Sequence, residues 1–379
     1  MIRFLHSADW QLGMTRHFLT PEAQARFSQA RIEAIGRIGR IAAEEEAAFV
    51  VVAGDVFETN RVESLVVRRA LEALGRVPCP VFLLPGNHDP LDAGSVFTSS
   101  TFRSAVPGNV VVLADRTPHP VLPGVEVVGA PWTAKRHLED LVARTCAELP
   151  PDPSVTRILV GHGMVHQFNP SAGPDTIDVT AAERAIADHR IAYLALGDRH
   201  STTALGSTGR IHYAGAPEPT DYDEIASGNV LLVEIDAGRC RTEARRTGTW
   251  SFARKAFDLD GLGGVEAVGA WLESLPEKER TIVKLSFTGT ITLRAEARLG
   301  EILDHQRDLF AAIERWERHT DLVVRPDEDD FSDLSLAGFA AVAVEQLRAV
   351  ALGTDDRAAT ARDALGLLIR LAGPGEVEA

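Results

Sequence analysis

Short apolar runs, each ending in a polar loop, recur along the first two-thirds of the chain. Ile2 to Ala8 reads as a short buried strand that ends in Asp9-Trp10-Gln11-Leu12-Gly13. Thr20 before Pro21 predicts an N-cap and a first-turn proline, and Phe27, Ile32, Ile35, Ile38 and Ile41 keep helical spacing behind them. Phe49 to Ala53 is a β-branched run of the kind covered on both faces, and Gly54-Asp55 ends it. A helix from about Ser64 to Leu74 leads to the strand Val81 to Leu84 and the loop Pro85-Gly86-Asn87-His88-Asp89. Strands follow at Val110 to Leu113, Val125 to Gly129, Ile158 to Val160 before Gly161-His162-Gly163, and Tyr193 to Leu196 before Gly197-Asp198-Arg199-His200. Ile211 to Ala214 and Val230 to Ile235 close a first domain near Asp236. Strand, loop and helix alternate, and the polar clusters fall beyond the carboxyl ends of strands, where α/β sheets build ligand sites.

Beyond that point the pattern changes. Trp250 to Leu259, Ile282 to Gly289 and Leu322 to Pro326 read as strands among helices at about 261 to 275 and 295 to 318, a small α+β module. From Phe331 the chain predicts two amphipathic helices, one carrying Leu336, Phe339, Val342 and Leu347, the other Ala361, Leu365, Leu368 and Leu371.

The composition is that of a globular protein, with 45% hydrophobic and 25% charged residues in 379. No apolar run is long enough for a membrane span, and the start of the chain is too short and polar for a signal peptide. Cys79, Cys146 and Cys240 lie far apart, which predicts neither a disulfide framework nor a cysteine zinc site, so a cytoplasmic location fits. A net charge of −15 argues against a protein that coats nucleic acid by bulk attraction. Part of that acidity would be offset if bound cations sit among the carboxylates.

Taken singly, each loop cluster is an ordinary turn. Taken together, Asp9, Gly54-Asp55, Gly86-Asn87-His88-Asp89, Gly161-His162 and Gly197-Asp198-Arg199-His200 place oxygen and imidazole donors from five strand ends around one crevice. Carboxylate and carboxamide oxygens mixed with imidazoles suit manganese, iron or zinc. A carboxylate can bridge two cations, and such a pair activates water for in-line phosphoryl displacement, with no protein nucleophile required; Asp55 is the candidate bridge.

These residues resemble the calcineurin-like metallophosphoesterase pattern D-x-H, G-D, G-N-H-[DE], G-H and G-H-x-H over about residues 1 to 236. Gly54-Asp55-Val56-Phe57 with Thr59-Asn60, Ala192 to Gly197, and Tyr213-Ala214-Gly215-Ala216-Pro217 look most like the SbcD-type DNA repair exonuclease branch. What the resemblance implies for the fold is an α/β metallophosphoesterase β-sandwich flanked by helices, a four-layer αββα arrangement. The domain expectation is a nuclease domain at 1–240, a small α+β capping or DNA-binding module at 248–328 and C-terminal amphipathic helices at 331–372. For the site it implies a first metal on Asp9, Gln11, Asp55 and His200, and a second on Asp55, Asn87, His162 and Asp198, most simply two Mn2+ with iron or zinc as alternatives. His88 takes the place of the catalytic histidine, and Asp89 would orient His88 through a hydrogen bond. DNA is the implied substrate; a coiled-coil ATPase of the SbcC type docked on the C-terminal helices and a homodimer are the implied partners.

Two positions depart from the pattern. Gln11 stands where D-x-H has histidine, and a neutral carboxamide is the weaker ligand; Asp198 stands for the first histidine of G-H-x-H and adds negative charge. His6 or His17 could compensate for Gln11 or be local structural residues. Trp10 and Phe57 flank ligands, as stacking platforms or as walls of the crevice. Arg68, Arg69, Arg241, Arg245 and Arg246 are phosphate contacts or ordinary surface arginines. Two other functions compete with the nuclease: a phosphodiesterase or phosphatase acting on a nucleotide, another small molecule or a phosphoprotein, which the acidic balance favours, and a non-catalytic scaffold with a partly degenerate metal site, for which Gln11 speaks.

Overall fold

Side chains alternate between two faces of a strand, so a strand buried on both sides reads as an unbroken apolar run. Phe49, Val51 and Ala53 join one buried cluster, while their neighbours Val50 and Val52 join another. The same division separates Phe4 from Leu5, Ile158 and Val160 from Leu159, and Tyr193 and Ala195 from Leu194 and Leu196.

The computed structural model describes residues 1–168, 173–236, 238–325, 339–353 and 355–372. Two compact units emerge, Met1–His17 with Gln24–Trp250 and Phe18–Ala23 with Ser251–Ala379. In the first unit one six-stranded sheet runs in the order β12 (Arg239–Arg246), β11 (Asn229–Asp236), β1 (Ile2–Ser7), β2 (Val50–Val52), β3 (Val81–Leu83) and β4 (Val110–Val112). The second runs β5 (His119–Leu122), β6 (Val125–Gly129), β7 (Thr156–His162), β8 (Tyr193–Gly197), β10 (Ile211–Tyr213) and β9 (Thr203–Leu205). β1 to β4 are parallel, as are β6, β7, β8 and β10, and the outer pairings are antiparallel.

Three cores hold this unit together. Phe4, Phe49, Phe82, Ile158 and Tyr193 fill the space between the sheets, where Phe4 stacks on Phe49 at 4.9 Å between ring centroids. Helices α1 (Pro21–Glu44) and α2 (Ser64–Leu74) bury Ile35, Ile38, Val67 and Leu71 on the outer face of the first sheet. The short α3 (Ser100–Ala105) adds Phe102 to that side. On the outer face of the second sheet, α4 (Leu141–Glu148) and α5 (Val179–Ala187) bury Val142, Cys146, Ala182 and Ala185. The fold is thus an α/β sandwich of four layers, helix, sheet, sheet, helix.

The first unit runs past Asp236 to Trp250, because β12 adds an edge strand to β11 along eight paired positions. β12 is rich in arginine and only partly buried, so it carries no apolar signal; β5 and β9 are short and also only partly buried.

In the second unit β14 (Thr281–Ile291) is flanked by β13 (Ser251–Leu259) on one edge and by β15 (Ala312–Arg315) and β16 (Asp321–Val324) on the other, all parallel. α6 (Leu262–Ser274) and α7 (Leu293–Arg307) are the crossovers and share a core with Val283, Leu285 and Phe287. The helix expected to reach 318 stops at Arg307, since Ala312 and Ile313 pair with Ile282 and Val283. α8 (Phe339–Ala351) and α9 (Asp356–Ala372) follow; Val344, Ala361 and Leu365 pack with Leu293, while Phe339 is 88% exposed and Val342 57%. Pro326, and residues 331–338 with Leu336, lie outside the described residues, and so does the side chain of Leu371.

Candidate metal centre

The carboxyl ends of β1, β2, β3 and β8 lead into the loops that carry Asp9, Asp55, Asn87 with His88, and Asp198 with His200, while His162 is the last residue of β7. These loops are bonded to each other. Asp9 N donates to Gly54 O at 3.1 Å, Gln11 N to Asp55 O at 2.9 Å, and Gly163 N to Gly197 O at 3.1 Å. Asp9, Gln11, Asp55 and Asp198 all have positive φ, from 44° to 97°, a conformation that costs a non-glycine residue of order 1–3 kcal/mol and survives where neighbours impose it. Two glycines permit the close approach. A Cβ on Gly54, which has φ +89°, would lie 2.1 Å from His162 Nδ1, and one on Gly86 would lie 2.2 Å from Asp55 Oδ1.

His162 Nε2 is the focus of one donor set. Asn87 Oδ1 lies 3.3 Å from it, Asp55 Oδ1 3.4 Å and Asp198 Oδ1 3.7 Å. The Nδ1–H of this ring donates to Ala53 O at 2.8 Å, which turns Nε2 toward the carboxylates and makes it the nitrogen that would bind a cation once its proton is displaced. Asp9, Asp55 and His162 each offer a ligand atom within 4.8 Å of one another, and all three are buried. A second donor set adjoins it. Gln11 Nε2 is 3.1 Å from His200 Nε2, and the Nδ1 of His200 faces Glu224 Oε1 at 3.0 Å and Thr220 Oγ1 at 2.6 Å.

Such a group of acids is costly without a cation. Burial pushes the Asp9 carboxyl up to about 7 against the pull of His200 and His162, and burial with the charge of Asp55 does the same to Asp89. Burial also raises Asp198. Burial would lower His162, but Asp55, Asp198 and Asp9 outweigh it and hold the ring up at about 9. Asp9 Oδ2 and Gln11 Oε1 are buried acceptor oxygens with no hydrogen-bond partner. Buried orphan acceptors in an electronegative crevice, next to imidazole nitrogens, fit divalent cations. Asp9, Gln11 and His200 could hold one, Asn87, His162 and Asp198 another, with Asp55 between them.

A pH dependence follows. Asp9 is raised from 3.8 to about 7 and His162 from 6.5 to about 9, so the metal-free fold holds protons that a cation must displace. The stability these groups give the metal-free fold is full below their unfolded values and is lost as pH rises through the folded ones. The gain in melting temperature from added Mn2+ over EDTA is therefore expected to grow from about pH 5 to about pH 8.5. A gain that is flat or shrinks across that range would contradict this proton competition.

Several expected contacts are arranged differently. Asp89 does not orient His88: its oxygens accept from Gly86 N at 2.7 Å and Phe57 N at 2.9 Å, stapling two ligand loops together. His88 Nδ1 instead lies 3.0 Å from the carbonyl oxygen of Glu58, because the exposed ring turns away from the buried Asp89. His6 is no stand-in for Gln11; it is fully buried between Tyr193 OH and Leu196 O, and burial lowers its pKa to about 3. Trp10 and Phe57 are buried walls, with Trp10 Nε1 bonded to Ser7 Oγ at 2.8 Å. Arg245 is held by Glu45 and Glu243, and Arg241 faces Glu243.

Glu224 and Thr220 were not anticipated. They follow His200 by more than a strand, in a stretch that carries no ligand motif, and only the return of the loop after β10 brings them to the ring. Arg31, buried in α1, anchors that loop by donating to Glu218 O at 3.4 Å and Pro219 O at 3.0 Å.

Comparison with known proteins bears on what this centre belongs to. The SbcD component of the nuclease SbcCD of Bacillus subtilis is 23% identical over 325 residues, covering 75% of this chain and 72% of that protein. The DNA double-strand break repair protein Mre11 of Haloferax volcanii is 26% identical over 275 residues, covering 71% and 57%. The SbcD component of the nuclease SbcCD of Escherichia coli is 25% identical over 276 residues, covering 63% and 66%. The family description calcineurin-like phosphoesterase matches residues 2–201. That match spans more than half of the chain and contains Asp9, Asp55, Asn87, His162 and His200, and the protein belongs to the calcineurin-like phosphoesterase family.

Proposed function

We propose that the protein is a DNA phosphodiesterase, an exonuclease or endonuclease of the DNA repair type that works with two divalent cations, Mn2+ foremost. The observation that carries the hydrolase reading is the convergence of Asn87, Asp55 and Asp198 on His162 Nε2, beside the orphan oxygens of Asp9 and Gln11. The nuclease reading is supported by likeness to the SbcD component of SbcCD and to Mre11, two proteins named for nuclease activity or DNA repair. When bound, the cations supply Lewis acidity toward phosphate oxygens and lower the pKa of water.

The chain's own residues do the rest. His88 N donates to Asp55 Oδ1 at 3.0 Å, which sets the exposed ring at the mouth of the crevice. With Nδ1–H on Glu58 O, the ring presents Nε2 for the leaving oxygen, to stabilise its charge or hand it a proton. Arg199, between Asp198 and His200, lies over the Phe168 ring at 3.9 Å and donates Nε to Thr203 Oγ1. It has no carboxylate partner among the described residues, so its remaining N–H groups are available to a phosphate. The second unit would bind DNA, and the exposed Phe339 and Val342 of α8 suit a coiled-coil ATPase partner.

The net charge of −15 favours a second reading, hydrolysis of a small phosphoester. The test is cleavage of single-stranded and duplex oligonucleotides beside hydrolysis of a small aryl phosphodiester. DNA cleavage that EDTA stops and Mn2+ restores is expected; activity confined to the small ester would overturn the nuclease reading.

A further inference from the structure

The two histidines of the centre are backed in unlike ways. His162 gives its Nδ1–H to a neutral acceptor, the carbonyl oxygen of Ala53 at 2.8 Å. His200 faces the carboxylate of Glu224, with Nδ1 to Oε1 at 3.0 Å, and the Glu224 side chain is only 7% exposed. That carboxylate is held by its own loop. Thr220 N donates to Glu224 Oε2 at 2.9 Å, and the Thr220 hydroxyl donates to Oε1. Ser201 Oγ accepts from Ile225 N at 2.9 Å, which ties the residue after Glu224 to the residue after His200. With Nδ1–H held by that carboxylate, the neutral ring of His200 has a single tautomer, hydrogen on Nδ1 and lone pair on Nε2, the atom 3.1 Å from the Gln11 amide.

The asymmetry matches a difference between the two donor sets. His162 looks onto Asp55, Asp198 and the Asn87 oxygen, whereas beside His200 the chain offers the neutral carboxamide of Gln11. A carboxamide oxygen is a poorer donor to a transition metal than imidazole. A carboxylate behind a ligating imidazole raises the basicity of the ring and fixes its orientation. We propose that Glu224 is a positioning residue of the first metal site, holding His200 in its ligating tautomer and supplying through the ring the donor strength that Gln11 lacks. This rests on the two-cation reading of the centre.

Titration with Mn2+, followed by calorimetry or by the paramagnetic resonance of free Mn2+, tests it without reference to turnover. The wild-type chain is expected to take up two ions. In Glu224→Gln, which keeps the volume and an acceptor oxygen but removes the charge, the weaker site should lose about 10–100-fold in affinity while the tighter site is unchanged. Glu224→Ala should lose more at the same site, and Gln11→His added to Glu224→Gln should restore part of the loss. Unchanged affinities in both single variants would overturn the role of Glu224. Equal weakening of both sites, with a lower melting temperature in EDTA, would also overturn it, since that is what mere structural support gives. If the wild-type chain takes up no Mn2+, the metal reading itself falls and this inference with it.

Discussion

His88→Ala is expected to lower the turnover of a phosphodiester by about 10²–10⁴-fold, the usual worth of a well-placed proton donor, while Mn2+ uptake and melting temperature stay at wild-type values. The split follows from where the side chain sits. Its backbone N–H, not its ring, is bonded to Asp55, and that bond survives in alanine. The ring is exposed and touches the fold through one hydrogen bond to Glu58 O, so removing it takes nothing from the core. Rates measured at saturating Mn2+, with metal content from elemental analysis, check both halves. Wild-type turnover in the variant would remove His88 from the chemistry; loss of metal together with activity would make it part of the metal-holding structure.

Replacing Asp55 by asparagine should do the opposite, emptying the centre without unfolding the protein. Asp55 Oδ1 is 3.4 Å from His162 Nε2, and Asp55 adds to the charge that raises both Asp9 and Asp89. Asparagine keeps an oxygen for His88 N and removes a negative charge that crowds Asp9 and Asp89 but also attracts His162, so the metal-free variant is expected to melt close to the metal-free wild type. What disappears is the response to metal. A cation at about 100 times its dissociation constant stabilises a fold by about 2.7 kcal/mol, and Asp55→Asn should forfeit nearly all of that. Melting curves with Mn2+ and with EDTA decide it, and an equal Mn2+-induced rise in both proteins would exclude Asp55 as a ligand.

How much of this was legible in the sequence depends on the kind of signal each element leaves. β2 and β7 are buried on both faces, so Phe49 to Ala53 and Ile158 to Val160 announce themselves as apolar runs, and polar residues that follow them stand out. β12 leaves no such mark, since Arg239 to Arg246 pairs through its backbone and shows much of its side-chain surface to water. Ala312 to Arg315 was hidden by the helix before it, and only the pairing with β14 makes it a strand. Residues of the site divide in the same way. Asp9, Asp55, Asn87, His162 and His200 follow strands within a few positions, and the structure brings them together. Glu224 comes from a loop whose path depends on tertiary anchors such as Arg31, and no local pattern encodes that path. Adjacency also misled, because Asp89 sits next to His88 in the chain yet serves the backbone of Gly86 and Phe57.

The pairing of β1 with β11 bears on how the protein is made. Arg3 and Glu234, joined at 2.6 Å, are 231 positions apart, and every pair from Ile2 with Ile235 to His6 with Leu231 spans a similar distance. Contacts of such long range are slow to form, because the closure entropy must be met before they reward the chain. During synthesis β1 is made long before β11 and waits for almost the whole unit before one of its edges is covered. A nascent chain stopped short of β11 would carry the sequence of every ligand described here, yet leave the strand that ends beside Asp9 with an open, apolar flank. Such intermediates invite wrong pairing and capture by chaperones. The edge of β1, the strand that leads to Asp9, is therefore covered only once β11 has been made.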